Sequence, residues 1–167
     1  PDHALVQSMS LNHSSGDTRQ RLIRSRQIAH DGQAPFLLLH AAASVLAAQH
    51  LDDDFRAACR SGAARHPGDI SFLLRLAEFE LDRNPDLAAG YAMQALSRRG
   101  SLRAAMLLVQ SHQATGKGTA ESRKVTLAPW SRPPYAAVLR TLASFNAADG
   151  RTADARRNLL QVISADR

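Results

Sequence analysis

The chain has one cysteine, Cys59. It therefore forms no internal disulfide and no multi-cysteine metal site. No run of 18 or more apolar residues occurs, so nothing reads as a membrane span. The N-terminus lacks a charged region followed by an apolar core, so no secretory leader is visible. The first residue is Pro1 rather than Met, and the chain is expected to be a piece of something longer. Aromatic residues make up only 5%. Runs of β-branched residues are almost absent, which argues against strands.

What is present is alanine, the strongest helix former and one that lets helices approach closely. Lys and Arg number 21 against 15 Asp and Glu, a formal net charge of +6. That excess permits an acidic partner without requiring one. At 167 residues the chain can bury a sizeable core.

Helices are expected throughout. The stretch ALVQSMSLNH suggests a short helix within residues 1–15, and Arg19 to His30 a second. Ala34 to His50 is strongly apolar, with Pro35 in its first turn where the missing N–H costs nothing. Asp52, Asp53 and Asp54 put acid at the next N-terminus, which complements the helix dipole. That helix runs to about Arg65, and Asp69 caps one from Ile70 to Arg83. Asn84-Pro85 breaks it. Asp86 to Arg99 follows, and Gly100 and Ser101 lead into Leu102 to Thr115. A shorter helix covers Thr119 to about Leu127, and Pro129 to Pro134 reads as an extended link. The last hairpin turns at Gly150, with Thr152 as a cap and Ala155, Leu159, Val162 and Ile163 as a facing stripe. The whole reads as about ten helices and no strand.

The turns recur evenly. Each first helix has a central position at Met9, Ala43, Ala77, Val109 and Ala143, at intervals of 34, 34, 32 and 34 residues. Seven residues on stand Gly16, His50, Asn84, Gly116 and Gly150. A late second-helix position falls near Ile28, Ala64, Ala95, Ala128 and Val162. This spacing of Leu, small residue, Gly, Ala and Ala resembles the tetratricopeptide repeat. The match is fullest at Leu139, Leu142, Ala143, Gly150, Ala155 and Val162. The consensus tryptophan and tyrosines are missing. Trp130 falls in a link, Tyr91 in a second helix, and Tyr135 ahead of a first helix, while Glu121 stands where a small residue belongs.

The resemblance implies an all-α fold, an α–α superhelix formed as a right-handed solenoid of hairpins that bury their apolar faces by stacking. It implies one domain over residues 1–167, with a degenerate repeat over 1–33 and repeats at about 34–67, 68–100, 101–133 and 134–167. It also implies a concave groove lined by first helices, at positions six before, three before and one after the central residue. These are Leu37, His40, Ser44, Ser71, Leu74, Glu78, Arg103, Met106, Gln110, Arg140 and Ser144. Such a mixed surface suits a protein or peptide partner. The lysine–asparagine carboxylate clamp of some family members is absent, which argues against a chaperone-tail adaptor.

Other constellations give way to plainer readings. Arg19, Arg21, Arg24 and Arg26 form one basic cluster, and Arg98, Arg99 and Arg103 another. Nucleic-acid binding would need a continuous basic face with stacking aromatics, so nucleic acid is not expected. The seven histidines include no pair at helical spacing, and Cys59 has no histidine near it in sequence. No metal, cofactor or catalytic activity is expected, and Cys59 reads as a small core residue. The stretch from Ala114 to Thr119 mimics a phosphate loop but has Ser111 and Gly118 at essential positions. Asn12-His13-Ser14 fits a glycosylation sequon of the kind that arises by chance. The resemblance implies a scaffold or adaptor with a protein partner, of a kind found in bacterial envelope polysaccharide-export or secretion assemblies. The alternative is a regulatory or substrate-positioning arm of a larger enzyme or transcription regulator. Oligomeric state and compartment stay open.

Overall fold

The computed structural model describes residues 18–117, 120–130, 136–148 and 150–165. Among them every regular element is helical. The order is α1 (Thr18–His30), α2 (Phe36–Ala48), α3 (Asp52–Arg65), α4 (Ser71–Glu80) and α5 (Pro85–Arg98). Then come α6 (Leu102–Ala114), α7 (Ala120–Leu127), a 3₁₀ turn (Ala128–Trp130), α8 (Ala136–Ala148) and α9 (Thr152–Ala165). The helix expected within residues 1–15 and the Asn12 sequon lie outside the described residues. Pro129 sits in the 3₁₀ turn rather than an extended link. Proline's fixed φ suits that turn as well as an extended chain.

Local chemistry sets the boundaries. The Pro35 carbonyl accepts the Leu38 and Leu39 amides at 3.0 Å each, so proline starts α2 without wasting a donor. The Asp69 Oδ1 accepts the Ser71 N–H at 2.7 Å. Asn84 Oδ1 accepts from the Leu87 amide at 3.2 Å, and Ser101 Oγ from the Ala104 amide at 3.4 Å. Thr152 was expected to cap the last helix but is its first residue.

Helix ends repeat the same geometry. Gly116 and Gly150 adopt φ of 65° and 73°, and His50 takes φ of 54° at the equivalent place after α2. After α2 the His50 amide bonds the Ala47 carbonyl at 3.1 Å and the Leu51 amide reaches back to Leu46 at 3.0 Å. After α8 the Gly150 amide bonds Ala147 at 3.0 Å and the Arg151 amide reaches Asn146 at 2.7 Å. Both are left-handed helix closures of one type.

The chain divides into two compact units between Leu76 and Ala77, inside α4. In the first, α1, α2 and α3 pack on one another. Its core holds Leu39, Ala42, Ala43 and Leu46 of α2, Phe55, Ala58 and Cys59 of α3, and Phe72, Leu73 and Leu76 of α4. Burial pushes the Cys59 thiol up to about 12, as befits an inert core residue. In the second unit, consecutive helices from α5 to α9 pack in pairs. Ala105, Val109, Leu127, Val138 and Phe145 form its central cluster.

The repeat register is visible in burial. Ala43, Ala77 and Val109 are fully buried and Ala143 nearly so. The second-helix register needs one correction. Ala64 and Ala128 are exposed, and the residues one earlier, Ala63 and Leu127, are buried instead. The facing stripe of α9 also divides: Ala155 and Val162 are buried, whereas Leu159 and Ile163 are about half exposed.

Candidate protein-binding faces

In the first unit, α2 carries Leu37, His40 and Ser44, and α4 carries Ser71 and Leu74. Leu37 and Ser44 are exposed, and the other three are partly buried. Their placement follows from helix geometry: at about 100° per residue, positions six before, three before and one after the buried central residue lie about 60–120° to one side of it, flanking the face it buries. The His40 imidazole sits between two phenylalanines, with ring centroids 6.0 Å from Phe36 and 5.8 Å from Phe72. Phe36 and Phe72 meet edge to face at 5.3 Å.

Arg75 organises this face, and the groove positions taken from the sequence omit it. Its Nη1 donates to the His40 carbonyl at 3.1 Å and its Nη2 to Ser44 Oγ at 3.2 Å. The guanidinium also lies 5.6 Å from the Phe55 ring centroid. Arg75 thereby ties α4 to α2. Spacing does not point to it: Arg75 stands 35 residues after His40, and the register pairs His40 with Leu74 instead. Burial and the Arg75 charge lower the pKa of His40, while Asp69 opposes them. The hydrogen bonds from Ser71, and the nearby histidines, hold Asp69 below the ordinary carboxylate value.

In the second unit, Glu78, Arg103, Met106, Gln110, Arg140 and Ser144 reach the surface. Arg103, Gln110, Arg140 and Ser144 are exposed, and Glu78 and Met106 are partly buried. Arg103 Nε donates to the Glu78 carboxylate, linking α4 to α6. Thr141 Oγ1 lies 3.8 Å from Met106 Sδ, linking α8 to α6 across one repeat. The Glu78 charge is thus spent within the face, whereas Arg140 carries no ion pair among the described residues.

Each basic cluster has an arginine that meets an acid, Arg26 in the first and Arg103 in the second. Arg26 Nε bonds Asp54 Oδ2 at 2.8 Å, and His30 Nε2 lies 3.0 Å from Asp54 Oδ1. These partners, His30 first, lower the Asp54 pKa. Lys117 reaches Asp86 at 2.6 Å. Gly116 occupies a helix-closing turn, and Gly118 and Thr119 lie outside the described residues. Among the described residues no three His, Cys, Asp or Glu side chains gather as a metal site, and no helix is long and apolar enough to cross a membrane.

No family model matches the chain, and no curated protein matches it. Solved structures of MamA do. A MamA mutant superposes with a TM-score of 0.69 at 14% identity, covering 99% of this chain and 89% of its own. MamA MSR-1 gives 0.67 at 14%, covering 99% and 93%. MamA AMB-1 gives 0.66 at 14%, covering 97% and 96%. The likeness is one of fold: an all-helical chain of successive hairpins, the class expected from the sequence.

Proposed function

We propose that this chain is a protein-interaction scaffold and that the outward faces of its first helices bind a protein or peptide. The observation that supports this is one of pattern. At each repeat among the described residues the central residue (Ala43, Ala77, Val109, Ala143) is buried, yet its neighbours three before and one after are at least partly open to solvent. Burial of the small residues supplies stability from behind. In the first unit the face in front offers Leu37 and Leu74 as apolar anchors, and in the second it offers Met106, with Arg103 and Arg140 on the same surface. Such a face is preformed by the helices, so binding costs little ordering. The partner assembly we propose is of the envelope export or secretion kind, and what supports that part is fold-level analogy alone.

The test is positional. A photo-crosslinking residue replaces Gln110 or Ser144 on the proposed face, and Met93, exposed on α5, as the control. Adducts with one partner from Gln110 and Ser144 but not from Met93 support the reading. Equal capture from Met93 refutes it.

A further inference from the structure

The first unit holds a histidine in a setting that binding a partner does not explain. His40 is partly buried against Phe36 and Phe72, and Phe72 is itself fully buried. Directly beside it Arg75 is pinned by the His40 carbonyl, Ser44 and the Phe55 ring. A guanidinium held by three contacts cannot swing away when a second positive charge arrives without releasing α4 from α2. We infer that the α2–α4 junction is a proton-operated joint: when His40 takes up a proton, the first turns of α4 loosen from α2. The inference stands apart from the binding reading and concerns this unit alone.

The groups around His40 come from each neighbouring segment. From α4 comes Arg75, which disfavours the imidazolium. From the α3–α4 connection come Asp69, which favours it, and His66. Asp69 is already engaged, since its Oδ1 accepts the Ser71 amide at 2.7 Å. His66 packs edge-on to Phe36 at 5.2 Å, and its Nε2 is buried with no hydrogen-bond partner. From the end of α3 comes Arg65, which donates to the Ala34 carbonyl. The α1 groups Arg26 and His30 are held by Asp54, at the opposite end of α3. The two phenylalanine rings lie at the outer edge of cation–π reach, about 6 Å, so they return little to a charged imidazole. Desolvation and Arg75 outweigh Asp69, so the folded protein holds the His40 proton less tightly than the ordinary value of 6.5. The sign follows. Stability is complete above pH 6.5 and is lost as pH falls through the lowered folded value. An imidazolium turning outward to water would uncover Phe72 and shift Ser71 and Leu74 with it.

The experiment is an NMR titration of the histidine ring signals of the whole chain between about pH 7.5 and about pH 5. Hydrogen exchange of the Leu73 to Leu76 amides is read across the same range. His40 should titrate below 6.5, and those amides should lose protection as it does. Arg75→Gln should raise the His40 midpoint and Asp69→Asn should lower it further, a pair of opposite shifts that simple loss of packing would not give. His40→Gln should make amide protection flat with pH over this range. A His40 midpoint at or above 6.5, an unmoved midpoint in Arg75→Gln, or unchanged pH dependence in His40→Gln overturns the inference. Should His40→Gln fail to fold, the titration of the unaltered chain decides by itself.

Discussion

Replacing Gly62 by alanine should destabilise this protein, against the usual rule for a glycine inside a helix. Alanine normally gains about 1 kcal/mol there by helix propensity. A Cβ at Gly62, however, would stand 2.4 Å from Phe72 Cε2 and 2.5 Å from Cδ2 and Cζ. Ordinary carbon contacts lie near 3.5 to 4.0 Å, so the ring must retreat by roughly 1 Å. It has nowhere to go, because Phe72 is fully buried and packs on Phe36. Overpacking of a filled core costs about 1–3 kcal/mol, and this overlap belongs at the upper end. Against the propensity gain, the net loss is about 2 kcal/mol, or a Tm lower by roughly 4–8 °C for a chain of this size. Gly90 supplies the control. It lies in α5 with nothing within 4 Å of an added Cβ, so Gly90→Ala should stabilise by up to about 1 kcal/mol. Thermal melts followed by circular dichroism compare the two. Equal rises in Tm for both variants would refute the account of how α3 meets Phe72.

Ala43→Leu and Ala143→Leu should each lower the urea midpoint by an amount equivalent to about 1–3 kcal/mol, because both sites are buried in the repeat register; an unchanged midpoint would mean that register is not where helices meet. His50→Gly should stabilise by about 1 kcal/mol or less, since an exposed L-residue at φ 54° is strained where glycine is not. A drop in stability on denaturant titration would show that the imidazole does more than close the helix. Asp54 and Asp69 both titrate below 3.8 in the folded protein, so the stability they add is complete above pH 3.8 and lost as pH falls through their lowered values. Urea midpoints measured against pH should show an acid limb that shrinks in Asp54→Asn, and an identical limb in that variant would contradict the Arg26–Asp54–His30 contact as its source.

Much of the fold was legible because it depends on local signals. Asn84, Ser101 and Asp69 cap helices for reasons contained in a few residues, and the buried small positions follow from periodicity. What was not legible depends on partners far apart in sequence. Arg75 finds His40 and Ser44 only once α4 lies on α2, and nothing near Arg75 announces it. The one-residue slip at Ala64 and Ala128 has a related cause. Alanine is acceptable both inside and outside a helix, so an alanine-rich stretch fixes its inward face less firmly than Ala63 or Leu127 does in three dimensions. His50 hid for the opposite reason. Its backbone conformation is that of the glycines at equivalent positions, but its side chain gives no hint of it. Of the eleven residues the resemblance puts on a groove, six are exposed and five partly buried. The ion pair between Glu78 and Arg103 joins residues 25 apart in sequence, and nothing local to either announces it.

The central claim, that the outward faces of the first helices bind a protein, is tested most directly by affinity for the partner captured at Gln110 or Ser144. Calorimetric titration of that partner would compare the unaltered chain with the double variant Arg103→Glu, Arg140→Glu. Both side chains are exposed; loss of the exposed Arg103–Glu78 pair costs up to about 1 kcal/mol, so the melting temperature should fall by no more than about 2–4 °C. Affinity should fall about tenfold or more, as expected when interface charges of one sign are reversed. An unchanged affinity in a variant that folds normally would contradict the claim.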